Sequence, residues 1–403
     1  MAHDEGGRTR GLVLVDRPYV SDQLRALIAE HALPLVLTPA ARALGFEPAP
    51  HTLTEDEAVA AARTADRLRV YTSSENALPW VTRHLGFTRL PELAELFKDK
   101  ARFRAAIRPR FPDFFFRTVD VADLDAVDVD SLPLPVVIKP AVGFFSLGVL
   151  KVSTPGEWPA ARRAITEKLE AARHLYPEEV LGTGTLIIEE WLAGEEFAVD
   201  AYYDARGEPV VLGVWAHAFA SDADTSDRVY STSAEIVAAN LGPFRECLAE
   251  LGALTGARDL AVHLELRRSD DGHLTPIELN PLRFGGWCTT ADITRHAWGF
   301  SPYLHFLHDR RPDWPRILRD AGETVYSIVV LDNTTGIDGA EIADFDYRAL
   351  LDRFHRPIDL RPVDWTRNPL FGFVFLATDP AYRHELDWAL HSDLREFVTP
   401  RSP

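Results

Sequence analysis

Apolar residues along this 403-residue chain alternate between the short, continuous runs of buried strands and the three-to-four spacing of a helix face. Gly11 to Asp16 (GLVLVD) reads as a buried strand, Leu24, Leu27 and Ile28 as one face of a helix, and Leu35 to Leu37 as a second strand. Another strand at Leu68 to Tyr71 follows the alanine-rich stretch Ala58 to Ala65, so residues up to about 95 are expected to form a small open α/β domain. The turn after the first strand, Arg17-Pro18, lacks the glycines that bring a backbone close to a pyrophosphate, which disfavours a nicotinamide site there. From Leu134 to about Asp200 the pattern changes to short strands, PVVIKP, GVLKVS and LIIEE, broken by a helical stretch from Trp158 to Tyr176. Phe197–Tyr203 and Val210–Trp215 flank the turn Asp204-Ala-Arg-Gly207 as an antiparallel hairpin should, and a helix is expected near Ile236 to Leu254. The last hundred residues give two apolar strands, Tyr326–Leu331 and Phe371–Leu376, and a final helix near Tyr382 to Phe397, with no chemistry of their own. Asp222 to Asp227 (DADTSD) is the best candidate for a mobile loop.

The most informative pattern is a second hairpin. Ala261–Leu266 (AVHLEL) and Thr275–Asn280 (TPIELN) are strand-like runs separated by a segment that contains Asp271-Gly272, a strong hairpin signal. A turn centred there opposes Glu265 to Glu278 and His263 to Asn280, all four on one face because side chains alternate along a strand. Two carboxylates facing each other repel unless a cation sits between them. Glu265, Glu278 and the amide oxygen of Asn280 supply hard oxygen donors that leave positions for phosphates, as magnesium requires at phosphoryl-transfer sites, with manganese as the alternative ion. A solvated face of ordinary acids would show the same pattern.

Composition narrows the class of partner. A formal charge of −18 leaves no broad basic surface, so neither nucleic acid nor an anionic membrane is an expected partner, and small molecules are. The two cysteines, Cys247 and Cys288, are too few for a disulfide framework. The polar N-terminus and the absence of any apolar run near the roughly 20 residues that span a bilayer point to a cytoplasmic protein. Met1 is the only methionine, which excludes a Met-Lys-Met biotin attachment site. Oligomeric state is open, a homodimer included.

Lysine is scarce, with Lys98, Lys100, Lys139, Lys151 and Lys168 against thirty-eight arginines, so each invites scrutiny. Lys139 ends the strand Val136–Ile138 and precedes Gly143-Phe-Phe-Ser146-Leu-Gly148, a loop whose N–H groups could fold over phosphates while a compact ammonium assists. A plain turn is the alternative there. Lys100 lies in LFKDKARFR, expected as one helix from the spacing of Phe97, Ala101 and Arg104, where a solvated lysine is the default. LIIEEWL ends a strand in Glu189 and Glu190, and Gly194-Glu195-Glu196 follows.

Taken in order, DK at 99 and 100, VIKP, GFFSLGV, IIEEWLAGEEFAVD, HLEL and PIELNP resemble the ATP-grasp superfamily over about residues 95 to 290, and IIEEWLAGEEF resembles the hinge segment of D-alanine:D-alanine ligases and other carboxylate-amine ligases. The resemblance implies an α/β fold in which a pre-ATP-grasp domain (1–95) precedes an ATP-grasp domain (96–310, small lobe about 130–190, large lobe about 191–310), with 311–403 flanking the large lobe. It implies ATP as cofactor, held by Lys100, Lys139 and Ser146 at the phosphates, by Glu189, Glu190 and the Leu192 backbone at adenine, and by Glu196 at the ribose. Glu265, Glu278 and Asn280 match the family's metal ligands, the set that strand register also gives. The family's catalytic arginine usually stands two residues after the asparagine, whereas Arg283 stands three after Asn280; it is nonetheless the arginine expected to act. The implied activity is amide formation from a carboxylate and an amine through an acyl phosphate, with release of ADP and phosphate. The competing readings are a carboxylase-type enzyme, a carboxylate kinase and a non-catalytic ATP-binding module.

Overall fold

The computed structural model describes residues 9–142, 149–173, 184–221 and 226–401. Its main element is a twelve-stranded mixed sheet that draws strands from the whole chain. The N-terminal strands Thr9–Leu14, Leu35–Val36, Thr52–Leu53 and Arg67–Thr72 run parallel to their sheet neighbours. They join the rest of the sheet where Val70 pairs with Leu260. Continuous apolar composition fits this placement: Leu12, Val13, Leu14 and Val70 are wholly or almost wholly buried, as strands covered on both faces must be.

The remainder of the sheet is antiparallel. Glu195–Tyr203 pairs with Pro209–Ala218 on one side and with Leu260–Arg268 on the other, and Val229–Thr232, Val325–Asp332, Leu370–Thr378 and Pro357–Pro362 extend it outward. The long helix Ala234–Thr255 follows Ser233, whose side chain accepts from the Ile236 N–H, and ends at left-handed Gly256. Its Val237, Phe244, Leu248 and Leu251 pack beneath the sheet in the largest core cluster.

A separate four-stranded sheet, in the order Phe116–Asp120, Thr185–Glu190, Val136–Pro140, Leu150–Val152, forms the smaller lobe. Val136, Ile138, Leu186, Ile188 and Val152 turn one face onto helix Trp158–Arg173 through Trp158 and Ile165. The opposite face carries Val137, Lys139, Ile187 and Glu189, since Lys139 opposes Ile187 and Val137 opposes Glu189.

Two expectations are corrected. The stretch around Lys100 is two helices, Leu90–Lys98 and Lys100–Ile107, broken at extended Asp99, whose side chain accepts from the Ala101 and Arg102 N–H groups. An N-cap of this kind competes with the helical periodicity that suggested continuity. The final helix stops at His391, Ser392 is extended and Leu394 is left-handed. Of the segment 222–227 expected as a mobile loop, 222–225 lies outside the described residues, while Ser226 and Asp227 make hydrogen bonds. No described helix is long and apolar enough to cross a membrane.

Candidate functional site

The strands Leu260–Arg268 and Leu274–Pro281 pair in the register read from the sequence at the positions that matter: His263 opposes Asn280 and Glu265 opposes Glu278. Nearer the turn the register differs. A β-bulge falls between Glu265 and Leu266, after which Leu266 pairs with Pro276 and Ile277 is the extra residue. The Pro276 and Ile277 carbonyls at this bulge accept from the guanidinium of Arg104.

Lys100, placed at the first position of its helix by the Asp99 cap, reaches Glu278 with Nζ 2.8 Å from Oε2. Asn280 Nδ2 donates to Glu278 Oε1 at 3.0 Å, and His263 Nε2 stands 3.5 Å from Glu265. Burial works to raise the Glu278 carboxyl, but Lys100 outweighs it and holds the group well below the carboxylate range. Burial pushes the Glu265 carboxyl up, and the nearby Glu278 charge adds to the rise. His263 is buried, yet its bonds to Asp200 and Glu265 raise it to about 9. Asp200 Oδ1 also accepts from the Gly285 N–H, so this carboxylate ties the strand Leu260–Arg268 to the loop after the hairpin.

These donors fit a hard divalent ion: two carboxylates, one of them destabilised by the other's charge, beside an amide oxygen. Among the described residues no group of three His, Cys, Asp or Glu is arranged to cage a metal. A shell completed by phosphate oxygens is the arrangement such a partial set suits.

The smaller lobe faces this hairpin with Lys139 and Glu189. Glu189 is buried and accepts from Arg104 at 2.9 Å, with Lys139 paired to its other oxygen. Burial would raise its carboxyl, but the two cations bring it down to about 2. The resemblance implied an adenine contact for Glu189; the structure places both its oxygens in ion pairs. Burial lowers the Lys139 ammonium, and Glu189 opposes that drop. Glu190 belongs to the opposite face of its strand and is half-buried. Leu192 lies just past the strand end, and Trp191 beside it carries Lys151 at 4.1 Å and Arg267 at 5.0 Å over its ring. Glu196 accepts from Arg267 at 2.8 Å and pairs with His217 Nδ1 at 2.9 Å. Ser146 and the 143–148 segment expected to fold over phosphates lie outside the described residues.

Arg283 reaches the same cleft from the loop after the hairpin. The additional residue before it is Leu282, left-handed at φ 63°. Leu282 still donates to the Ala261 carbonyl and accepts from the Thr72 N–H, so the chain absorbs one residue without leaving the sheet. Arg283 grips Glu75 with two N–H groups at 2.7 and 3.2 Å, and Lys98 stands 3.7 Å from the same carboxylate. Burial opposes charge on Glu75, and Arg283 and Lys98 nevertheless lower its carboxyl. Glu75, Lys98, Arg104 and Arg267 are site residues that sequence reasoning missed; only the scarcity of lysine could have singled out Lys98.

Two facing sheets with lysines at one side and a carboxylate hairpin at the other define an ATP-grasp fold. The chain carries an ATP-grasp domain: residues 132–291 match that family model. No curated protein matches in sequence. Among solved structures, the L-amino acid ligase of Bacillus licheniformis superposes with a TM-score of 0.65 at 16% identity, covering 99% of this chain and 100% of that one. N5-carboxyaminoimidazole ribonucleotide synthetase of Thermotoga maritima gives 0.62 at 14% identity, over 98% and 100% of the two chains. The biotin carboxylase domain of the 2-oxoglutarate carboxylase of Hydrogenobacter thermophilus, solved with MgADP and bicarbonate, gives 0.60 at 13% identity, over 97% and 90%.

Proposed function

We propose that the chain is a magnesium- and ATP-dependent ligase that joins a carboxylate to an amine through an acyl phosphate. The observation that carries this reading is the Lys100–Glu278 pair at 2.8 Å, set between a second carboxylate and a second lysine. A triphosphate entering here finds ammonium groups on Lys100 and Lys139, and the carboxylates of Glu265 and Glu278 stand ready for the accompanying ion. Magnesium, held by Glu265, Glu278 and Asn280, would neutralise phosphate charge during transfer. A base would lie along the hinge at the backbone of Leu192, with Glu196 at the ribose.

Substrate carboxylate attacks the γ-phosphorus, ADP leaves, and an acyl phosphate results. The amine, as its free base, then attacks the acyl carbon, inorganic phosphate departs with the bonding pair and takes up the proton that the nitrogen sheds, and an amide remains. Arg283, anchored by Glu75, faces the charge that develops on the acyl oxygen, where a fixed guanidinium is most effective. Similarity to an L-amino acid ligase favours amino acids as substrates; the carboxylase-type neighbours make bicarbonate the competing acid.

The test is ADP and phosphate release from MgATP with pools of amino acids and small acids, with bicarbonate alone as a separate arm and Glu278→Ala as control. A carboxylate that triggers release and an amine that yields a condensed mass are the expected result. Release with bicarbonate alone, or undiminished release by Glu278→Ala, overturns it.

A further inference from the structure

Asp227 stands at the foot of the strand Val229–Thr232, and the mechanism above does not use it. A continuous row of side chains leads to it across the sheet, Arg267 opposite Glu196, Glu196 opposite His217, and His217 opposite Tyr230. The members of this row engage one another. Glu196 holds Arg267 and His217, His217 Nε2 bonds to the Ser226 carbonyl at 3.0 Å, and the His217 ring stacks on Tyr230 at 4.1 Å. The Tyr230 hydroxyl donates to Asp227 Oδ1 at 2.8 Å. Among the described residues that is the one hydrogen bond made to this carboxylate, and no ion pair joins it.

The residue after Asp227 is bonded to the C-terminal region. Arg228 is buried and donates to the Val330 and Ser392 carbonyls and to Thr334 Oγ1. Burial raises the Asp227 carboxyl above its ordinary range; His217 and the Tyr230 hydroxyl oppose the rise, and Glu196 and Glu278 add to it. A half-buried carboxylate in such surroundings attracts a cation. A metal would have oxygens of its own on the hairpin two strands beyond Glu196's neighbour His217, and no third acid joins them into a cage among the described residues. An ammonium group suits a single carboxylate, because one charge-assisted hydrogen bond satisfies both.

The geometry points to Asp227 as the residue that binds the ammonium of the amine substrate and takes the proton this nitrogen must lose before it can attack, positioned by the Tyr230 hydroxyl and by the Arg228 anchor. The assignment rests on the ligase reading given above. It gives the C-terminal region a part in recognition without a residue of its own at the substrate.

A partition experiment tests it. The full chain is supplied with MgATP, the twenty proteinogenic amino acids, a set of small carboxylic acids and a fixed amount of hydroxylamine. An activated carboxylate is then shared between two kinds of nucleophile: amino groups, which arrive as ammonium ions near neutral pH, and hydroxylamine, which is uncharged there. Asp227→Asn is expected to raise the ratio of hydroxamate to condensed product about tenfold, the loss expected for one charge-assisted bond, and Tyr230→Phe to raise it about threefold. The ratio does not depend on the amount of folded enzyme. An unchanged ratio in both variants overturns the assignment, however far total turnover falls. Wild-type chain that yields neither hydroxamate nor ADP sinks the ligase reading itself, and the amine subsite with it.

Discussion

The hairpin 260–281 and the strands 325–332 and 370–378 belong to the same sheet, yet they treat its inner face in opposite ways. On the hairpin that face carries Glu265, Glu278 and Asn280, held by Lys100 and His263. On the C-terminal strands it carries Ile328, Phe373 and Phe375, packed with Trp215, Ala198 and Ile293. One stretch stores charge that a metal and phosphates can use; the other stores apolar area, worth about 25 cal/mol for each Å² removed from water. A strand that sets acids where its neighbours set phenylalanines gives up stability locally, and that contrast marks chemistry more reliably than any single residue type.

The largest expected effect lies on the hairpin. Glu278→Ala should reduce ATP-dependent product formation by more than about 10²-fold, since even partners that only support metal ligands are worth 10–100-fold. Its melting temperature should fall less than that of Arg361→Ala, because relief of the Glu265–Glu278 repulsion offsets the unpaired Lys100; unfolding of the variant would break the contrast. Arg283→Ala should lower kcat by about 10²-fold. Glu75→Gln should lower it by about tenfold with the KM for ATP unchanged, because it weakens the anchor and leaves the guanidinium in place; steady-state kinetics distinguishes the two.

The C-terminal strands should respond in stability. Arg361, on the strand Pro357–Pro362, pairs with fully buried Asp292 at 2.6 Å, and Tyr303 bonds to the same carboxylate. Arg361→Ala should destabilise the chain by about 3 kcal/mol, the cost of stranding a buried charge, as read from denaturant unfolding. Specific activity of the folded fraction should persist.

The smallest effect sharpens the comparison from the smaller lobe. The Glu189 carboxyl lies at about 2 in the folded chain, below its ordinary value, so its ion pairs stabilise the fold fully above the unfolded pKa near 4.5. That contribution is lost as pH falls from there towards 2. Glu189→Gln should therefore flatten the decline of melting temperature across this window relative to wild type. An identical slope would show that the Arg104 and Lys139 pairs contribute nothing.

Much of the hairpin was legible because two signals agreed, alternation along each strand and a turn at Asp271-Gly272. The bulge at Ile277 was not, since nothing in TPIELN distinguishes a regular strand from one that lodges an extra residue. Arg283 could be proposed only through the family's spacing, and the chain before it holds a left-handed Leu282, a conformation leucine rarely adopts and no pattern reveals. Glu75 was invisible because its partner is 208 residues away. The strand Pro357–Pro362 escaped notice because its prolines suit only an edge, which is where it lies.

Lys100 has one consequence of a mechanical kind. Its own N–H donates to the Ala141 carbonyl in the smaller lobe at 2.8 Å, while its ammonium grips Glu278 in the larger. The residue is a tether of fixed reach between two jaws, which can part only as far as a four-carbon stem allows before the grip fails. On the function proposed above, incoming phosphates would compete for that ammonium, so admitting a nucleotide and slackening the tether would become a single event.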